Sequence, residues 1–573
     1  MNFKKVFFSG LATVLICLAY SCDNSSKSKL DEDPLLSQKS DHPKSGGELR
    51  LIENEIFTSL LPYSIEESVG YRLASQIHNS LLKFNPKTLT VEPSIAKSWE
   101  VNDEQTKYIF HLRNNVFFHN DECFSSKENS KLSPYDIVHT FELLCGKLYN
   151  NEHNMILNNL LGAEDFHNKK KDSIEGIKII DDSTISFELN KPTPSIIYLF
   201  ASTHTSITSK LAYDKYGTSI VNGCGPFKYS GLSKDSSSMR LTKNENYFLK
   251  DSEGNSLPYL DSITILIKKE NDILSEMFVN NKIMVLPEIR ENEVEQLFET
   301  YHKEFDDKNY LVDRKVLMST NCYEFNVSKA PFDNVKVRQA FCYAINKKSL
   351  IENIMKGQAK LGNRGIVPFI ETFNNYNYDS LKGYDYNPEK AKKLLSEAGY
   401  PNGKNFPEVS LELSIGNSVH TKTAKEFQNQ IQNVLNVSVT IEQESRKQKI
   451  NRAATGKSNM FHFTWLSQYP SPIEFLNLFY SGNKLQKTDD YMWPNVARFK
   501  NKLYDQTIEK ALVTSDMKNR YKLFSDAENI LLQEAPMLVL WYPEEYNIIH
   551  GYVKNLHFNE MLHFDYTKVY INK

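Results

Sequence analysis

One short apolar run near the amino end sets what the rest of this 573-residue chain has to be. Residues 6–18 are almost wholly apolar, interrupted only by Ser9, Gly10 and Thr13, and Lys4 and Lys5 stand in front of them. Crossing a hydrocarbon core of about 30 Å as a helix takes roughly 20 apolar residues, so this run has the length of a secretory signal core and not of a mature span. No later stretch is apolar enough to be a transmembrane helix. The body is therefore expected to be exported and to fold in water.

The run ends in Leu18-Ala19-Tyr20-Ser21-Cys22. A cysteine directly after a small residue at the end of such a core resembles the bacterial lipobox, although Ala19 stands where leucine is usual and Leu18 sits one position further out. The resemblance implies removal of residues 1–21 and lipidation of Cys22. Residues 23–47 are rich in Ser, Lys, Asp, Asn and Pro. Such a segment buries too little apolar surface to offset its ordering entropy, so 22–47 reads as a lipidated cysteine and flexible tether holding a soluble body off a membrane. Asp23 resembles an inner-membrane retention signal of some Gram-negative bacteria.

More than 500 residues remain, enough for two lobes with cores of their own. Charges are interspersed and sum to -3, with no basic stripe, which argues against nucleic acid as a partner. Aromatic content is 12%, with 31 Tyr, a supply that suits a pocket stacking on varied groups while donating hydrogen bonds. Beyond Cys17 and Cys22, the thiols Cys123, Cys145, Cys224, Cys322 and Cys342 are odd in number and widely spaced, so free buried thiols are expected. No spacing suits a metal. No phosphate-binding loop, nucleophile elbow or His-Glu-x-x-His occurs, and the carboxylates and histidines give no positive case for catalysis. Gly223-Cys224-Gly225 is followed by Pro226 and suits a turn better than a phosphate cradle.

Local patterns fix several elements. Residues 108–113 alternate as a half-buried strand, and 177–180 with 184–189 flank Asp181-Asp182 as a hairpin. Ser133-Pro134-Tyr135-Asp136 opens a helix that puts Ile137, Phe141 and Leu144 on one face. Asp333 precedes a helix burying Val337, Ala340, Phe341, Ala344 and Ile345. Asn387-Pro388 opens another, with Ala391, Leu394, Leu395 and Ala398 inward and Gly399 as its stop. Strands at 409–415 and 437–441 around a helix at 421–435 argue for α/β lobes.

The landmarks also fall in a telling order. Glu92-Pro93-Ser94-Ile95-Ala96-Lys97-Ser98-Trp99-Glu100 precedes Val116-Phe117-Phe118-His119-Asn120. Gly225-Pro226-Phe227, Asn244-Glu245-Asn246-Tyr247-Phe248 and Pro258-Tyr259-Leu260-Asp261 follow. Then come Tyr323-Glu324-Phe325-Asn326, Pro331-Phe332-Asp333, Val337-Arg338-Gln339-Ala340 and Tyr386-Asn387-Pro388-Glu389. Ala398-Gly399-Tyr400-Pro401 and Ala527-Glu528 to Ala535-Pro536 close the series. Together they resemble the extracellular solute-binding proteins of the peptide/nickel ABC transporter class, the oligopeptide- and dipeptide-binding family.

That resemblance covers the chain from Gly46 to the end. It implies a two-lobed α/β periplasmic-binding-protein fold, type II, of the large peptide-binding cluster, with an extra subdomain in the first lobe and a hinge of crossing strands. Mapped here, lobe I is 48–88, 214–312 and 535–573, the inserted subdomain is 89–213, and lobe II is 313–534. It further implies a monomer without a cofactor, facing the periplasm or the outer face of the cell membrane. Such a protein captures a peptide between its lobes and delivers it to ABC permease subunits.

The family usually meets the peptide amine with an aspartate in a Trp-x-x-Asp pattern. Here the pattern falls on Trp465-Leu466-Ser467-Gln468, followed by Tyr469, and glutamine brings no charge. Glu53 and Glu55, on the expected first strand, are candidates to compensate, with Glu324 and Glu474 behind them. Phe57, Trp465 and Tyr469 are expected to stack on the ligand, and Asn321, Cys322 and Tyr323 to border the cleft. Arg338 reads as a brace for its helix. Gln468 keeps a non-peptide ligand open, such as a nickel chelate or an oligosaccharide, as well as a surface receptor or adhesin with no transporter.

Overall fold

The computed structural model describes residues 42–65, 67–146, 159–268, 273–287, 289, 291–483 and 491–573. Cys22, the signal core and nearly all of the tether lie outside the described residues.

Three sheets organise the chain. In the first, strand Glu48–Glu53 runs parallel to Ser262–Ile267, which continues antiparallel to Ser238–Lys243 and Phe227–Leu232. The second is the antiparallel set Ala96–Val101, Lys107–Leu112, Thr184–Glu188 and Ile177–Asp181. The expected strand stops at Leu112 because Arg113 turns away: its backbone N–H donates to the Ile95 carbonyl and its guanidinium to the Ser94 carbonyl at 2.8 Å. The helix beside this sheet, Pro134–Cys145, starts as its sequence dictates, with the Asp136 carboxylate accepting the Ser133 backbone N–H at 2.9 Å.

The third sheet is built on one long strand, Met537–His550. Its first half pairs with Ser319–Phe325, which passes the sheet on to Met460–Leu466, Val409–Ser414 and Val439–Glu444. Its second half pairs with Tyr310–Val316 and, at its end, with Val285–Leu286. These are crossing strands of the kind the resemblance implies, with two distant lengths of chain running side by side. Strand Val409–Ser414, helix Ser418–Leu435 and strand Val439–Glu444 form a parallel strand–helix–strand unit. Its helix starts three residues before the expected 421, because the Asn417 side chain caps it by accepting the His420 N–H. Asn436 ends it in the left-handed conformation, which delays the strand to Val439.

Buried positions follow the predicted faces. Val337, Ala340, Phe341, Ala344 and Ile345 are all fully buried, and Asn334, one residue after Asp333, supplies the cap. Arg338 does brace its helix, donating to the Glu534 carbonyl through Nε at 2.9 Å and to the Phe332 carbonyl at 2.6 Å. Gly223 and Gly225 pass so close to the backbone of Gln76 and Ile77 that a Cβ there would lie 2.1–2.5 Å from a carbonyl oxygen. The cysteines at 123, 145, 224, 322 and 342 are free, and all but Cys123 are buried. Among the described residues, no helix is long and apolar enough to cross a membrane.

Candidate functional site

Where the crossing strands meet the first sheet, the fold leaves a cavity of ≈ 1070 Å³, its open mouth included. One wall is apolar and comes from Leu274, Val285, Leu286 and Ile289. The carboxyl-terminal segment adds Leu556, Phe558, Leu562, Phe564 and Tyr566 to the lining. Phe558 meets Phe564 edge-on at 5.4 Å, and Phe564 stacks on Tyr566 at 6.2 Å. A buried glutamine far away in sequence holds this segment. Gln76, on helix Ser68–Ile77, donates through Nε2 to the Phe564 carbonyl at 2.7 Å and accepts the Tyr566 N–H at 3.1 Å.

Polar groups line the cavity as well. Glu53 ends the first strand, and Arg72 from helix Ser68–Ile77 grips both its carboxylate oxygens, through Nε at 2.6 Å and through Nη2. Such a bidentate pair is planar and directional. Asn54, Lys268, Glu545 and Asn547 complete the lining with Glu293. Glu545 and Asn547 are two apart on the long crossing strand, so they share a face, and Asn547 Nδ2 donates to Glu545 Oε1 at 3.1 Å. The cavity thus offers an apolar body site beside a row of hydrogen-bonding groups, the usual composition of a small-molecule pocket.

Of the residues expected from sequence, Glu53 lines this cavity. Glu55 lies past the end of the strand and is exposed, and Phe57 packs edge-on against Tyr229 at 5.6 Å. Asn321, Cys322 and Tyr323 are buried in the third sheet. Asn321 donates to Thr464 Oγ1 at 3.0 Å and meets His462 Nε2 at 2.9 Å, while Tyr323 packs edge-on against Phe427.

Trp465, Gln468 and Tyr469 form a second locus, where strand Met460–Leu466 runs into a loop. Trp465 is half-buried and stacks on Phe463 at 5.9 Å. Gln468 is exposed, and its backbone N–H donates to Glu474 Oε2 at 2.9 Å. Tyr469 is buried, its hydroxyl bonded to the same Glu474 carboxyl. Burial pushes the Glu474 carboxyl up to about 7, against the pull of those two bonds. The Tyr469 ring stacks at 5.5 Å on Tyr198, which belongs to helix Ile196–Leu199 beside the second sheet. This loop therefore joins the body of the third sheet to that of the second. Among the described residues, no hydrogen bond or ring contact joins it to Glu53.

Arg72, Lys268, Asn547 and the aromatic wall were not legible as site residues. They are brought together by parallel pairing and by contacts across nearly 500 positions, such as Gln76 to Phe564. The short alternation of polar and apolar residues along 545–548 is the one local signal that could have flagged Glu545 and Asn547.

Comparison with known proteins gives a consistent answer. The family model described as bacterial extracellular solute-binding proteins, family 5 Middle, matches residues 90–487. The chain is 26% identical over 531 residues to heme-binding protein A of Haemophilus influenzae, covering 86% of this chain and 87% of that one. It is 25% identical over 488 residues to the dipeptide-binding protein of Escherichia coli, covering 83% and 86%. Among solved structures, HbpA2 from Haemophilus parasuis superposes with a TM-score of 0.76 at 22% identity, over 92% of this chain and all of that one. The periplasmic binding protein DppA from Helicobacter pylori, in complex with the peptide STSA, gives 0.73 at 24% identity over 92% and 99%. These likenesses show a two-lobed binding-protein fold, and the matched homologues are solute-binding proteins and not enzymes.

Proposed function

Because the chain belongs to the bacterial extracellular solute-binding proteins of family 5, we propose that it captures a small ligand, a peptide first among them, in the cavity beside the crossing strands and hands it to an ABC permease. The observation that carries this reading is the cavity itself. Aromatic and aliphatic side chains and a set of polar groups line one pocket beside the paired strands, all of them in the lengths of chain assigned to lobe I. A ligand seated there touches the hinge, and it favours closure by as much as it binds the closed form better. The lobe boundaries read from the sequence, export, lipidation of Cys22, a tether at 22–47 and action as a monomer belong to the same proposal. The apolar run at 6–18 and the composition behind it support export and anchoring.

Relatives carry names that refer to dipeptides, di- and tripeptides and glutathione, which favours a peptide. A second reading, a flat apolar ligand without a free amine, is favoured by the neutral Gln468 and by the Phe558, Phe564 and Tyr566 wall. It also fits the relative named for heme. Mass spectrometry of small molecules released on unfolding the purified protein, followed by calorimetry with a mixed dipeptide library, separates the two. Peptides should be released and should rebind. Release of an amine-free ligand that rebinds while the library gives no heat would replace the first reading by the second.

A further inference from the structure

We infer that Tyr198 and Tyr469 form a clasp that holds the body of the third sheet against that of the second, and that parts when the two bodies swing apart on the crossing strands. The two rings lie nearly parallel, 16° apart with centroids at 5.5 Å, within the range of favourable ring pairs. Tyr469 sits on the loop after strand Met460–Leu466, and Tyr198 on helix Ile196–Leu199. Among the described residues, no strand of the second sheet pairs with one of the third, so this junction is separate from the paired strands.

Each ring is held in place by its own side. The Tyr469 hydroxyl is bonded to the Glu474 carboxyl, which also accepts the Gln468 N–H. The Tyr469 carbonyl accepts the Ser467 hydroxyl at 2.5 Å and the Ser471 N–H at 2.8 Å. The loop thus presents its ring whether or not Tyr198 is there to meet it. On the other side, Tyr198 stacks on the buried Phe84 at 6.3 Å, and Phe84 meets His563 edge-on at 5.8 Å. The Leu82 N–H donates to the Phe200 carbonyl at 2.9 Å, which fixes the strand carrying Phe84 beside the segment carrying Tyr198. A column of four rings therefore runs from the third-sheet loop to the carboxyl-terminal segment. Helix Met517–Glu534 adds a second touch: its Arg520 guanidinium pulls against the burial that raises the Tyr198 and Tyr108 hydroxyls.

The junction is built to open. Ser467 takes its remaining bond from its N–H to the Met318 carbonyl, so the hydrogen bonds described for the loop stay within the third-sheet body. Parting the rings leaves those bonds intact, and what is lost is ring contact and the apolar surface it covers. A pair of this kind shifts the balance between joined and parted bodies by about two- to tenfold beyond that surface. A solute favours closure only through its better fit to the closed form. The clasp adds to that preference without touching the solute, and so lengthens the time for which it is held.

Two measurements on the full-length protein test this. Photo-oxidative tyrosine cross-linking of the wild type, read by peptide mass spectrometry, should join Tyr198 to Tyr469; absence of that product from folded protein overturns the inference. Small-angle scattering should then compare wild type, Tyr198→Phe and Tyr198→Ala, as purified and after bound solute is removed with mild denaturant and dialysis. Tyr198→Phe should scatter as the wild type does, because it keeps the ring. Tyr198→Ala should have a larger radius of gyration in at least one of the two states, with an unchanged circular dichroism spectrum. Should Tyr198→Ala fail to fold, Tyr469→Leu breaks the same pair from the other side and should open the molecule in the same way. Identical radii of gyration for the wild type and a folded clasp variant in both states overturn the inference and leave solute capture standing.

Discussion

At residue 468 a neutral amide stands where the family's pattern places a charge, and the structure shows what surrounds it. The Gln468 side chain is exposed, while its backbone is tied to Glu474, a carboxyl that burial raises to about 7. Sequence ranked Glu53 and Glu55 ahead of Glu474, because linear spacing cannot show that a loop folds back on itself. Glu324 is the opposite case. It lies in the third sheet, 1% exposed, with neither carboxylate oxygen hydrogen-bonded. Burial raises its carboxyl to about 8, with the Lys449 ammonium pulling the other way. The folded protein then keeps a proton that the unfolded chain loses near 4.5. The favourable protonated state is complete below that value, and stability falls as pH rises from there to about 8. Glu324→Gln should flatten this fall. Urea unfolding near pH 4 should find the variant and wild type similar, and near pH 8.5 the variant more stable by about 2 kcal/mol or more. Parallel profiles would remove Glu324 from the account.

Among the elements, those with strong local grammar were readable in advance. The hairpin at Ile177–Asp181 and Thr184–Glu188, the Ser133 start and the buried face of Val335–Ala344 all rest on neighbours in sequence. Elements held by distant partners were not. Glu528, noticed in sequence as a landmark, accepts the Ile366 and Val367 N–H groups and the Tyr376 hydroxyl, so a helix carboxylate shapes a loop more than 150 positions away. The crossing strands are bound in the same way. Arg314 donates to Glu544 from Nε at 3.0 Å and Nη2 at 2.9 Å, across the paired strands. The Glu544 side chain is 1% exposed, and Lys360 is the next cation at 3.6 Å. Arg314→Met should therefore strand a buried carboxylate and cost about 3–5 kcal/mol, read as a lower urea midpoint with an unchanged slope. A loss under about 1 kcal/mol would mean that Lys360 alone satisfies Glu544.

On the scale of the whole molecule, the α/β character and the two-lobed plan could be read from alternating helix and strand patterns and from ordered landmarks. The cavity could not. Its walls come from the first strand, the 274–289 region, the long crossing strand and the carboxyl-terminal segment, which only the finished topology assembles. The central claim is that this cavity holds the transported solute. The direct test is calorimetry of whatever ligand is released from the purified protein against the wild type and Leu274→Trp, which fills the cavity from a partly exposed position. The account predicts a binding isotherm for the wild type and loss of about a hundredfold or more in affinity for a Leu274→Trp protein with an unchanged melting temperature. Wild-type affinity in that variant would place the solute elsewhere and contradict the claim.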